Sequence, residues 1–122
     1  MSKKVLLIED DPFLFRVFAA HLEKEGIQTT TITDGGKALS TAKRYKPNLI
    51  LLDVGLPNKD GFEILTDLKA HETTKSIPVF LVTKHGSSTD HERGVQLGAE
   101  KYFYKFESSF LTIVKEIEKR IA

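Results

Sequence analysis

The sequence predicts an α/β domain in which a βα unit repeats five times, giving a parallel sheet with helices on both faces. Three observations carry that expectation. Short apolar runs at residues 5–8, 49–52 and 79–82 are continuous and rich in Val, Ile and Leu, as strands buried on both faces are. Stretches with helical spacing separate them, as right-handed crossovers between parallel strands require. No linker, internal repeat or low-complexity tract interrupts the alternation.

The elements follow in order. After the run at 5–8, Pro12 is a favourable first-turn residue, Leu14, Phe18 and Leu22 recur every four residues, and Gly26 stops the pattern. Gln28–Ile32 is a weaker strand, and a helix is expected over 35–45, ending at Lys46-Pro47. The run at 49–52 leads to a helix from Asp60 that carries Phe62, Leu65 and Leu68. The run at 79–82 is followed by a helix over 88–97 that closes on Gly98. Lys101–Tyr104 is the weaker fifth strand. In the last helix Phe110, Ile113, Val114, Ile117 and Ile121 form one apolar face, with Lys115, Glu116, Lys119 and Arg120 outside it.

Composition bounds what the chain can do. Its 122 residues suit one ordinary domain with a single sizeable core, so one domain over residues 1–122 is expected. Apolar residues make up 40% and charged residues 29%, which is globular usage and excludes disorder or a fibrous repeat. Basic and acidic residues number 18 and 17 and are mixed along the chain, so no footprint for nucleic acid or an anionic membrane stands out. With no cysteine there is no disulfide, thiolate zinc site or cysteine nucleophile, which fits the cytoplasm. The stretch from Lys3 to Ile8 meets Glu9 after four apolar residues, too few for a signal peptide, and nothing else approaches membrane-spanning length.

Ligands of open parallel sheets collect outside the carboxyl ends of the strands, so the residues just after each apolar run carry the chemistry. Glu9, Asp10 and Asp11 follow the first run, Asp53 ends the third, Thr83 ends the fourth and Lys105 follows the fifth. Three consecutive acids at a strand end repel unless solvent or a cation balances them. Oxygen ligands suit a hard cation such as Mg²⁺. Beside it an ionised Asp53 could act as a nucleophile toward a phosphoryl group, with Lys105 neutralising charge and Thr83 hydrogen-bonding a transferring oxygen.

Other motifs lead nowhere. His71-Glu72 and His91-Glu92 begin like zincin motifs, but Lys75 and Val95 stand where the second histidine belongs. His21 on a helix and His85 in a loop read as surface residues. Gly35-Gly36-Lys37 lacks Walker spacing and reads as a helix start.

In this order and at this spacing, "LLIEDD", "LLDVGLP", "PVFLVT", "GAEKYFYK" and the final helix resemble the response-regulator receiver domain of two-component signalling, over residues 3 to 121. The resemblance implies a doubly wound five-stranded parallel sheet with five helices in the flavodoxin-like order 2-1-3-4-5. It makes Glu9 and Asp10 the acid pair, Asp53 the phosphoacceptor, Thr83 the switch hydroxyl, Tyr102 the switch aromatic and Lys105 the partner lysine. Mg²⁺ would be held by Asp10, Asp53 and the backbone carbonyl of Gly55, with Glu9 acting mainly through water, while Asp11 would face solvent. Phosphate would come from a histidine kinase or histidine phosphotransfer protein. Thr83 would move toward the phosphoryl group and Tyr102 would turn inward, reshaping the face of the fourth helix, fifth strand and fifth helix for a downstream protein target. The domain would then catalyse only its own phosphorylation and dephosphorylation.

Three positions depart from the family pattern. Lys84 follows the switch threonine where a small residue is usual. Phe106 replaces the proline after the lysine, and a cis bond there would cost about 3 kcal/mol, so a trans bond is expected. Gly55 brings no side chain to a position that usually has one. Two other readings compete: a phosphorylation-independent interaction module, favoured by Lys84 and Phe106, and a Mg²⁺-dependent phosphohydrolase, which would need a second acid soon after Asp53 and a substrate cap.

Overall fold

A computed structural model describes residues 2–84, 88–105 and 109–122. Its elements alternate as β1 (Lys4–Ile8), α1 (Pro12–Lys24), β2 (Gln28–Ile32), α2 (Ala38–Tyr45), β3 (Leu49–Asp53), α3 (Gly61–Ala70), β4 (Val79–Thr83), α4 (Ser88–Gln96), β5 (Lys101–Tyr104) and α5 (Phe110–Ile121). All strand pairs are parallel, in the order β2-β1-β3-β4-β5. The doubly wound expectation holds. β3 and β4 are buried along their whole length, which is why they read as unbroken apolar runs.

The expected helix over 35–45 divides in two. Gly35–Lys37 forms a 3₁₀ turn, in which the Asp34 carboxylate accepts from the Gly36 amide at 2.9 Å, and the α-helix begins only at Ala38. Gly35 packs tightly there: a Cβ would stand 2.7 Å from Ile64 Cδ1. The helix ends on Lys46, whose φ of 53° is the left-handed cap that precedes Pro47.

Two apolar layers sandwich the sheet. On one face Val5, Leu7, Leu49, Leu51, Phe80 and Val82 meet α1 and α5 through Phe18, Leu22, Ile113 and Ile117. On the other, Leu6, Ile8, Ile50, Leu52, Val79 and Leu81 meet α2 and α3 through Ala42, Phe62, Leu65 and Leu68. α4 also lies on this second face, over Leu81 and Tyr102. No helix among the described residues is long and apolar enough to cross a membrane.

Candidate functional site

The strand order reverses between β1 and β3, and such a switch point opens a crevice at the carboxyl ends of the strands. Pairing of Ile8 with Leu52 brings Glu9 and Asp53 out side by side. The ladder continues one residue past the strands, with Glu9 N donating to Ile32 O, Val54 N to Val82 O and Lys105 N to Thr83 O. Backbone bonds thus fix the start points of the acid, aspartate and lysine side chains.

Lys105 joins the two buried acids. Its Nζ lies 2.8 Å from Glu9 Oε1 and 3.1 Å from Asp53 Oδ2, and all three side chains are buried. The other oxygens are held by backbone amides: Gly55 N donates to Asp53 Oδ1 at 2.9 Å, and Asp11 N to Glu9 Oε2 at 3.1 Å. Burial alone would depress the Lys105 ammonium, but its hydrogen bond to Glu9 and the charges of Asp53 and Glu9 outweigh it and hold the pKa above the ordinary lysine value. Burial, with the charge of Asp53, raises Glu9 to about 7 despite the opposing Lys105 bond.

Asp10 is exposed and completes a group of three: Glu9, Asp10 and Asp53 each offer an oxygen, all within 4.8 Å of one another. One ammonium cannot balance three carboxylates at that separation. The donor set, oxygen only and partly open to solvent, fits a hard divalent cation. Asp10, Asp53, Gly55, Thr83 and Lys84 line the adjoining cavity of about 240 Å³.

Asp11 departs from the expectation that it faces solvent. It is half-buried, and its carboxylate caps α1 by accepting from Phe13 N at 2.9 Å and Leu14 N at 3.4 Å. A helix N-cap is the plain reading of these acids taken alone, and for Asp11 it is the one the structure shows, with Pro12 following as the first helical residue. Thr83 is buried beside the Tyr102 phenol, and burial raises the phenol pKa. Lys84 is exposed and forms a wall common to the 240 Å³ cavity and a neighbouring one of about 420 Å³ lined by Phe13, Leu14 and Phe110. A Cβ at Gly55 would make an ordinary 3.5 Å contact with Asp53 Oδ1, so space does not require glycine there. His85 and Phe106, with its expected trans bond, lie outside the described residues. His91 and Gly94, unassigned from sequence, both border Tyr102.

The family model of the response regulator receiver domain matches residues 5–117. The chain belongs to that family. Among curated relatives it is 36% identical to the polar-differentiation response regulator DivK of Brucella ovis, over 86% of this chain and 85% of that one. It is 34% identical to the alkaline phosphatase synthesis transcriptional regulatory protein PhoP of Bacillus subtilis, covering 86% of this chain and 43% of PhoP. The chain thus spans less than half the length of some curated relatives that it matches. The crystal structure of the phosphorylated cyanobacterial phytochrome response regulator RcpA superposes with a TM-score of 0.85 at 31% identity, covering 99% of this chain and 94% of that one. The receiver domain of sensor histidine kinase PA1611 from Pseudomonas aeruginosa, with a magnesium ion coordinated in its active-site cleft, gives 0.86 at 27% identity and covers 99% and 98%. This receiver domain is a phosphorylation-dependent switch of the response-regulator type, a family of signalling rather than metabolic proteins.

Proposed function

We propose that the 122 residues act as one receiver unit that accepts a phosphoryl group on Asp53. The observation that carries this reading is the placement of Asp53: the end of a central strand, on the wall of a polar cavity, with one oxygen against Lys105 and the other against the Gly55 amide. These two donors orient the carboxylate, and Lys105 sets a fixed positive charge where phosphoryl oxygens would gather charge. Thr83 lies on the same wall, placed to hydrogen-bond one of them.

Asp10, Asp53 and the Gly55 carbonyl would hold Mg²⁺. Glu9, both of whose oxygens already accept bonds from Lys105 and Asp11, would contribute through water. When bound, the cation supplies charge neutralisation on the transferring group. Attack by an Asp53 oxygen on phosphorus forms the acyl phosphate bond as the donor's own bond to phosphorus breaks, and the chain catalyses nothing beyond this transfer and its later hydrolysis. Tyr102 serves as the switch aromatic that reports the change to the face of α4, β5 and α5. The donor is a histidine kinase or histidine phosphotransfer protein, the receiver of the signal is a protein bound at that face, and the setting is the cytoplasm.

Intact mass after treatment with acetyl phosphate and Mg²⁺ tests the reading. The wild-type chain gains one labile phosphoryl mass and Asp53→Asn gains none. Equal labelling of both would overturn Asp53 as acceptor, and no labelling of either would favour a phosphorylation-independent interaction module.

A further inference from the structure

α4 meets the sheet at a glycine. A Cβ built on Gly94 would stand 2.8 Å from Leu81 Cδ1 and 3.2 and 3.4 Å from Tyr102 Cδ2 and Cε2. The space that any side chain would take is therefore already filled by the Tyr102 ring and Leu81. His91, about one turn earlier, stacks on the same ring with centroids 5.2 Å apart and planes 13° from parallel, and Tyr104 borders it at 5.5 Å. The ring lies in a slot: imidazole on one face, bare helix backbone at its edge, Leu81 alongside.

Helix propensity makes the glycine meaningful. Glycine in a helix interior lowers helix stability relative to alanine, and α4 carries it where the helix crosses the ring. The tyrosine hydroxyl goes inward with the ring: its oxygen is shielded from solvent and lies beside the Thr83 side chain. A buried hydroxyl loses its contact with water, so packing in the slot adds to what holds the ring inward.

We propose that Gly94 is a positioning residue for the switch aromatic: the slot it opens between α4 and β5, closed by His91, packs the Tyr102 ring inward before any phosphoryl group reaches Asp53. The inference rests on the reading of Tyr102 as the switch aromatic. Phosphorylation then acts on a population of inward conformers that is already large, and the partner-binding face is largely formed in the unmodified chain.

The chain has three tyrosines, Tyr45, Tyr102 and Tyr104, so 3-fluorotyrosine gives three fluorine signals, assigned with Tyr102→Phe. In the unmodified wild-type protein, the Tyr102 signal should show a small solvent isotope shift between H₂O and D₂O and should move little when Mg²⁺ and beryllofluoride are added. Gly94→Ala strengthens the helix while filling the slot, so its Tyr102 signal should show the isotope shift of an exposed ring. Its affinity for beryllofluoride, followed by backbone amide shifts near Asp53, should fall by about five-fold or more if slot and site are coupled in the usual range. His91→Ala, which opens the slot without adding volume, should shift the signal the same way. A fully exposed Tyr102 signal in the unmodified wild type, or Gly94→Ala indistinguishable from it, would overturn the proposal. If beryllofluoride leaves the amides near Asp53 unmoved, the phosphoacceptor reading fails, and the fluorine comparison still decides the slot.

Discussion

α5 and α4 flank the same edge strand from opposite faces of the sheet, and they are held in different ways. α5 buries Ile113, Val114, Ile117 and Ile121, each worth about 1.5–3 kcal/mol on transfer from water. α4 buries only Gly94 among its nine residues. It is attached instead by the His91–Tyr102 stack and by the Arg93 guanidinium, 4.5 Å from the centre of the Phe62 ring, contacts worth about 0.5–1.5 kcal/mol each. Burial fixes one helix as part of the core. Ring contacts hold the other less firmly, so α4 is the more readily displaced of the two.

The firm anchoring of α5 centres on Ile117. Its side chain is fully buried, and Ile117→Ala should lower global stability by about 2–5 kcal/mol in chemical denaturation. A loss below about 1 kcal/mol would mean that α5 is no better anchored than α4. Arg93→Ala should cost about 0.5–1 kcal/mol globally. Its larger mark should be local, with α4 amides exchanging hydrogen faster while α5 amides still exchange only through global unfolding. Uniform acceleration in both helices would contradict two modes of attachment. Val95→Ala, at a residue 52% exposed, should change stability by no more than about 0.5 kcal/mol.

Lys84 stands where the less firmly held region meets the site. Lys84→Ala should leave stability unchanged yet speed acetyl phosphate labelling of Asp53 severalfold and shorten the phosphoaspartate lifetime. The lysine walls the cavity, whereas its charge, exposed and screened, adds little to that of Lys105. Labelling that is equal or slower at fixed ionic strength would show that the side chain does not obstruct entry.

Most of this architecture could be read before any coordinates because the relevant signals are local. Buried parallel strands are apolar throughout, so β1, β3 and β4 declared themselves, and the polar residue ending each run marked the site edge. The misreadings arose where tertiary contacts decide. The 3₁₀ turn at Gly35 depends on Ile64, far along the chain, approaching a position with no Cβ. Asp11 reads in sequence as a solvent-facing acid beyond the pair, yet its carboxylate accepts from the first amides of α1. α4 carries the helical spacing of an ordinary surface helix, and nothing in that spacing distinguishes a glycine that merely weakens the helix from one that makes room for a ring.

The place of β1 in the sheet bears on how the chain responds to heat. It is first in sequence but pairs with both β2 and β3, so Glu9 and Asp53 become neighbours only once the chain has closed a long loop. No locally folded segment contains the carboxylate group, and an unfolded chain offers a cation nothing comparable. A divalent ion that binds these acids therefore shifts the folding equilibrium by RT ln(1 + [L]/Kd), about 2.7 kcal/mol at one hundred times Kd. The melting temperature of this chain is, in consequence, a property of the protein together with its ionic medium.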